Sequence, residues 1–216
     1  MAMVASDLAT QLKAGLGFSG NPMTGQVSGM ATAIIAEFAS ASVANASGTV
    51  LGTAPPAGGP LTAGSAAGGT ISGMSGSDLA SKMKSDSGFP SVSPQLLNFC
   101  TAMVTHFLTG VVSFASGNIN GTCTNTAGPP PTPGILSAGV GTGGLISGYS
   151  GSTLASQLAT ALGQSDPTPL LNFSTNLVTY VMANAMVSYA TGSVTATISA
   201  GGGPIVGGAG AGGTIA

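Results

Sequence analysis

Charged side chains are the scarcest component of this sequence. They make up 4% of its 216 residues, against about 25% in an average globular protein, and the formal net charge is −2. Arginine is absent, and His106 is the one histidine. Because binding to nucleic acid needs clustered Lys or Arg, we expect no nucleic-acid partner. The charged residues are Asp7, Lys13, Glu37, Asp78, Lys82, Lys84, Asp86 and Asp166.

A chain with so few charges cannot build the mixed, charged surface that keeps a free domain soluble. Its surface must consist of Ser, Thr, Asn, Gly and apolar groups, which suits a surface that neighbouring subunits cover. Disorder is not expected, because 43% of the residues are apolar and the mean hydropathy is +0.48, whereas disordered chains are poor in apolar residues. The composition predicts ordered modules joined by Gly/Pro-rich segments.

No targeting signal stands out in the sequence, but one apolar run must be weighed as a membrane-spanning segment. The sequence begins MAMVASDLATQLK, without a basic leader followed by an apolar core, so we do not expect export by the usual route. The run 170–190 has no charge and is long enough to span a membrane. It contains Asn172, Asn176 and Asn184, however, and polar groups are costly at the centre of a bilayer. Membrane insertion is therefore disfavoured.

The sequence does contain one pattern repeated three times. SDLATQLKAGLGF begins at Ser6, SDLASKMKSDSGF at Ser77 and STLASQLATALGQ at Ser152. Each is followed by a second apolar block, then by a block such as VSFASGNINGT, and then by a Gly-rich run that ends in GGTIS, GGLIS or GGTIA. Because low-complexity sequences do not keep such an order by chance, we predict three repeat modules. Their predicted bounds are 1–72, 73–147 and 148–216.

Each module is predicted to hold two short helices and a β-ribbon. In the middle copy Ser77 predicts an N-cap and Gly88 a C-terminal stop, while Ser93-Pro94 predicts the start of an amphipathic helix. The block 112–119 predicts a strand, a turn or bulge, and a second strand. The predicted fold class is α+β, with three tandem repeats joined by Gly/Pro-rich arms. Modules so small must pack together, as a pseudo-threefold cluster or a short solenoid.

No catalytic, cofactor-binding or metal-binding residue is predicted. His106 aligns with Glu37 and Tyr180 of the other copies, so we interpret it as a helix-surface residue rather than a general base or metal ligand. A single imidazole also leaves every possible catalytic triad dependent on one residue. The run GVGTGG at 139–144 lacks the lysine of a phosphate-binding loop and lies in a repeated linker. We therefore predict a protein that is not an enzyme and has no small-molecule substrate.

Cysteine is scarce, and both cysteines, Cys100 and Cys123, lie in the middle module. Their counterparts in the other copies are not cysteine, which excludes a disulfide or a metal site shared by all three modules. Spacing alone does not establish a disulfide between the two. We expect two unpaired thiols, of which Cys100 is buried.

The aligned copies resemble small tandem-module proteins of tailed bacteriophage particles. The pattern LLNFxTxxVxYxxxNAxVSY, followed by a Gly-rich linker, carries this resemblance at residues 170–189, and residues 96–114 come close to it. The resemblance extends over the whole chain. It rests on the general character of the sequence and on the order of the blocks, so it assigns no site residues. It implies a structural role in the virion, on the capsid surface or in the neck and tail. Other virion proteins or further copies of the chain would be its partners.

We therefore predict a non-catalytic structural subunit of a bacteriophage particle, with capsid decoration or cement favoured over a neck or tail component. It would bury apolar and main-chain surface against neighbouring subunits, and its ribbons and arms could add strands to partner sheets. A cell-surface or secreted adhesive repeat protein and a membrane-associated protein are the alternatives. The first of these requires export.

Overall fold

The computed structural model describes residues 2–17 and 24–216. Along these residues the order of two helices followed by two long strands recurs three times. The helices are α1 (Ala5–Gly15), α2 (Thr24–Ala39), α3 (Gly76–Ser87), α4 (Pro94–Phe107), α5 (Gly151–Ala161) and α6 (Thr168–Asn184). The strands are β1 (Ser42–Ala54), β2 (Gly59–Pro60), β3 (Thr62–Ser72), β4 (Val111–Cys123), β5 (Gly134–Ser147), β6 (Met186–Ile198) and β7 (Gly203–Ile215).

Serine side chains begin the helices of the middle third. The hydroxyl of Ser75 accepts a hydrogen bond from the backbone N–H of Asp78 at 3.4 Å, so Ser75 is the N-cap of α3. The helix therefore begins before Ser77, and the prediction that Ser77 is the cap was wrong. The start of α4 is confirmed, because Ser93 caps this helix and Pro94 is its first residue.

The long strands close into one antiparallel barrel. Their order is β4, β3, β1, β7, β6 and β5, and β5 pairs back with β4. The short strand β2 adds only Gly59 and Pro60 beside the end of β4. Closure gives each of these long strands a partner on both sides, and a closed barrel has no free edge for a further strand.

The helices form a closed ring at one end of the barrel. Each helix packs against the next one in the chain, and α6 packs against α1. Because every third of the chain supplies two helices and two long strands, the ring and the barrel share an approximate threefold axis. The arrangement is thus a closed pseudo-threefold body and not a solenoid.

The predicted architecture of three modules with short ribbons and Gly/Pro-rich arms is wrong. The segments predicted as arms form most of β3, β5 and β7, and each predicted ribbon is a single strand of 13 residues, β1, β4 or β6. The turn signal in the middle ribbon is a bulge at Gly117, where φ is 87° and β4 continues beyond it. The structure is an α+β fold of six helices and one closed six-stranded barrel in the part of the chain that it describes.

Glycine explains why the alternating pattern of a strand is missing from β5 and β7. Large side chains of β4 and β6 lie over glycines of the neighbouring strands inside the barrel. A Cβ atom on Gly144 would come within 2.6 Å of the Phe114 ring, and one on Gly213 within 2.8 Å of the Tyr189 ring. These inward positions therefore carry no apolar side chain, and the alternation that predicts a strand is lost.

In four layers of the barrel interior, strands β1, β4 and β6 supply one buried residue from each third of the chain. From the helix end the layers are Val43, Val112 and Val187; Asn45, Phe114 and Tyr189; Val50, Ile119 and Val194; and Ala54, Cys123 and Ile198. In the second layer the Phe114 and Tyr189 rings stack with centroids 5.2 Å apart, and Tyr189 Oη donates to Asn45 Oδ1 at 2.7 Å. The three thirds therefore share one core.

Candidate functional site

Three buried polar residues occupy equivalent places in the helix ring. Glu37 of α2, His106 of α4 and Tyr180 of α6 are each 2% exposed. Each side chain bonds to the first helix of the next third of the chain or to the residue that precedes this helix. The three contacts define the α2–α3, α4–α5 and α6–α1 seams of the ring.

The α2–α3 seam is ionic. Glu37 Oε1 accepts a hydrogen bond from the backbone N–H of Ser75 at 2.6 Å, and Glu37 Oε2 lies 2.7 Å from Lys82 Nζ. Lys82 Nζ also donates to the carbonyl of Ala36 at 3.4 Å. The buried carboxylate is thus neutralised by an ammonium group and by the positive end of α3.

The α6–α1 seam joins the two ends of the chain through neutral hydrogen bonds. Tyr180 Oη accepts from the backbone N–H of Val4 at 2.5 Å and donates to the Val4 carbonyl at 2.8 Å. On the same helix Asn176 Nδ2 donates to the carbonyl of Gln11 at 2.9 Å. Val4 is the N-cap residue of α1, and Tyr180 accepts from its backbone N–H as Glu37 accepts from that of Ser75, the N-cap residue of α3.

The α4–α5 seam depends on His106, whose Nδ1 lies 3.0 Å from Gln157 Oε1. With this oxygen as the acceptor, Nδ1 carries the proton. The buried Nε2 has no hydrogen-bond partner among the described residues. The imidazole packs against the rings of Tyr149 and Phe107, with centroids 5.6 and 5.8 Å away. Burial lowers the pKa of His106, and the hydrogen bond to Gln157 opposes this shift in part.

The prediction that His106 lies on the helix surface is wrong. Helical periodicity identifies one buried face of α4, at Cys100, Val104 and Phe107. In a closed ring, however, α4 also packs against α5, so one flank is buried in addition to that face. The side chain of His106 lies on this second buried surface, which a single amphipathic stripe does not reveal.

A shallow groove of about 410 Å³ lies in the α4–α5 seam. Its lining residues are Ala102, Thr105, Ser156, Gln157, Thr160 and Ala161. At the α6–α1 seam Asn176 stands in the place of Ala102, and its longer side chain reaches across to α1. The groove is lined mostly by small side chains, which leave space between α4 and α5.

A tyrosine in the same seam depends on a glycine. Tyr149 precedes the cap of α5, where Met74 and Met3 precede the caps of α3 and α1, and its Oη donates to the Phe107 carbonyl at 2.7 Å. A Cβ atom on Gly110 would lie 2.3 Å from Tyr149 Oη. In the first third of the chain, Ala41 stands in the place of Gly110, and Met74 stands in the place of Tyr149. Glycine therefore occurs where the larger tyrosine replaces methionine.

We expect Gly110→Ala to destabilise the chain by about 1–2 kcal/mol, because the added methyl group displaces Tyr149 from its hydrogen bond. Tyr149→Met should lower stability by itself, but Gly110→Ala should then cost less than about 0.5 kcal/mol. Chemical denaturation of the wild type, both single variants and the double variant measures this coupling. Additive effects of the two substitutions would show that Gly110 and Tyr149 do not constrain each other.

Both cysteines are buried and free, which confirms the prediction that Cys100 is buried and the thiols unpaired. Cys100 Sγ lies 3.6 Å from Met83 Sδ in the helix ring. Burial, with the negative charge of Glu37, raises the pKa of Cys100 to about 12. Burial also raises the pKa of Cys123, which lies in the last layer of the barrel. Both thiols therefore stay protonated near neutral pH and are poor nucleophiles.

Residues 2–17 and 24–216 contain neither a metal-binding cluster nor a membrane-spanning helix. No group of three or more His, Cys, Asp or Glu side chains is arranged there to hold a metal ion. None of the described helices is both long enough and apolar enough to cross a membrane. The run 139–144, which resembles a phosphate-binding loop in composition, lies inside β5 and pairs with β4 and β6.

No family model, curated protein or solved structure matches this chain. Its own internal equivalence is therefore the available comparison. Alignment of the three copies places Glu37, His106 and Tyr180 together, and this alignment was the signal that could have identified the seams. The chemical difference among these residues concealed their common place between two helices.

Proposed function

We propose that the chain is a non-catalytic structural subunit of a bacteriophage particle and that it decorates or cements the capsid. The observation that carries the proposal is the closed pseudo-threefold body made by one chain. Three subunits that meet around a local threefold axis present three equivalent surfaces. A single chain with three equivalent sides fits such a position without assembling from separate copies.

The surface of the barrel supports a role in contact with other subunits. Its outward residues are mostly Thr, Ala, Gly and Ser, and none of its strands carries a charged residue. Large apolar side chains are exposed among them, including Leu51, Leu145 and Ile135, which are 54%, 56% and 60% exposed. Such a surface is suited to burial against neighbours, since removal from water leaves few charges unpaired.

The closed barrel changes the proposed mode of contact. Ribbons and arms with free edges would add strands to partner sheets, but each long strand already has two partners. We therefore propose contact through side chains on the outer face of the barrel and through the loops at its ends. This mode needs a partner surface that is already formed, which favours attachment to an assembled capsid.

The copy number in purified virions of the encoding phage tests the proposal. One chain at each local threefold axis corresponds to about one copy for every three major capsid subunits. Quantitative mass spectrometry of intact particles gives this ratio directly. A few copies per particle would instead indicate a neck or tail ring, which contradicts decoration. Absence of the chain from washed particles would contradict a virion role altogether.

A further inference from the structure

One end loop of the barrel has no counterpart in the other two thirds of the chain. At the end remote from the helices, residues 55–58 follow β1 and residues 199–202 connect β6 to β7. The connection between β4 and β5 is longer and runs over residues 124–133. It is the main departure of the barrel from threefold symmetry.

This loop presents a charge-free surface rich in proline. All of residues 126–133, with the sequence TAGPPPTP, are exposed to solvent. Ile135 follows at the base of the loop and, at 60% exposure, is the most exposed large apolar residue of the described chain. The equivalent residues beside the other two loops are Pro60 and Pro204. Loop 126–133 and Ile135 together are called the proline tip.

Hydrogen bonds hold the proline tip in a defined shape. Thr126 and Thr132 form a β-bridge across the loop, and their Oγ1 atoms are 2.7 Å apart. Below it, the backbone N–H of Ile135 donates to Thr124 Oγ1 at 3.1 Å. Asn125 is 1% exposed, and its Nδ2 donates to the carbonyls of residues 55 and 56 at 2.8 and 3.0 Å. An ordered loop loses little conformational entropy when it binds.

We propose that the proline tip docks into a groove lined by aromatic side chains on another protein of the particle. Proline rings pack well on the faces of Trp and Tyr. Proline has no N–H, so the backbone of the loop has more hydrogen-bond acceptors than donors. Trp Nε1–H and Tyr O–H supply such donors beside an apolar face. Without charged residues, the tip offers nothing to an ionic or nucleic-acid partner.

The inference rests on the proposed function, since it names the contact that attaches the chain to the particle. Because the tip occurs once per chain, a site with threefold symmetry offers it three equivalent grooves, and each chain occupies one of them.

The test uses the full-length chain and particles assembled without it. Because the chain contains no tryptophan, a change in tryptophan fluorescence on mixing reports on the particle. The variant is Pro130→Ala with Pro131→Ala and Pro133→Ala, and the matched control is Pro60→Ala with Pro204→Ala at the same end of the barrel. We expect about tenfold weaker binding for the triple variant and less than about twofold for the control. Equal thermal unfolding of both variants and the wild type shows that the fold is retained.

A photo-cross-linking residue in place of Ala127, which is exposed in the same loop, identifies the groove. Mass spectrometry of the cross-linked peptide should find Trp, Tyr or Phe next to the attachment point. If the wild type binds particles and the triple variant binds equally well, the proline tip is not the docking contact, and the proposed function stands. If the wild type does not bind particles at all, the proposed function is wrong, and so is the docking role proposed for the proline tip.

Discussion

Gly139→Ala is expected to destabilise the chain by about 3 kcal/mol or to prevent it from folding. Gly139 lies in β5, where a Cβ atom would come within 2.1 Å of the carbonyl oxygen of Val194 on β6. This oxygen belongs to the backbone of a paired strand, so no side-chain rotation relieves the clash. The two strands must separate locally, and the closed barrel loses pairing at that point. The midpoint of chemical denaturation measures the effect.

The threefold repetition supplies internal tests of the same expectation. Gly64 and Gly208 occupy the equivalent positions, and their Cβ atoms would lie 2.0 Å from the Ile119 carbonyl oxygen and 2.7 Å from the Val50 carbonyl oxygen. We expect Gly64→Ala to lower the free energy of unfolding as much as Gly139→Ala does, and Gly208→Ala to lower it less. Gly128→Ala is the control, because no heavy atom lies within 4 Å of its added Cβ. It should change stability by less than about 0.5 kcal/mol.

The outcome at Gly139 separates two architectures. In the modular fold predicted from the sequence, Gly139 lies in a flexible arm, and alanine there is harmless or slightly stabilising because it restricts the unfolded chain. In the closed barrel it faces the backbone of the next strand. A wild-type denaturation midpoint for Gly139→Ala would therefore contradict the pairing of β5 with β6.

The helices were within reach of sequence reasoning, and the barrel was not. The spacing of Leu79 and Met83 and the pair Ser93-Pro94 express local preferences, which hold whatever surrounds the helix. The glycines of β5 depend on their surroundings instead. Gly144 is needed only because Phe114 of another strand occupies the space beside it. Such a requirement comes from a pairing distant in sequence, so the local pattern shows a Gly-rich segment and not a strand.

The seams show a second limit of reasoning from aligned residues. Glu37, His106 and Tyr180 share a position but no chemistry, and the sequence suggested no common role for them. Their shared requirement is geometric: a polar group must cross from the second helix of one third to the start of the next third. An ion pair, an imidazole–amide contact and a phenol each meet it, because the partner differs between the seams: the Lys82 ammonium, the Gln157 amide and the Val4 backbone.

Of the three seams, we expect the α4–α5 seam to weaken on mild acidification. Burial lowers the pKa of His106 below its ordinary value of 6.5, so the folded chain takes up the proton at a lower pH than the unfolded chain. The stability due to neutral His106 is therefore complete above about pH 6.5. It is lost as the pH falls from there towards the folded-state pKa, at up to about 1.4 kcal/mol per pH unit. A protonated ring would also carry a buried Nε2–H without an acceptor.

The free energy of unfolding across this pH window measures the loss, and His106→Gln is the control. Because the chain has one histidine, the variant should lack the slope that the wild type shows in this window. Hydrogen exchange should rise first in α4 and α5, because Glu37 with Lys82 and Tyr180 with Val4 hold the other two seams. Parallel profiles for the wild type and His106→Gln would contradict a buried, neutral histidine in this seam.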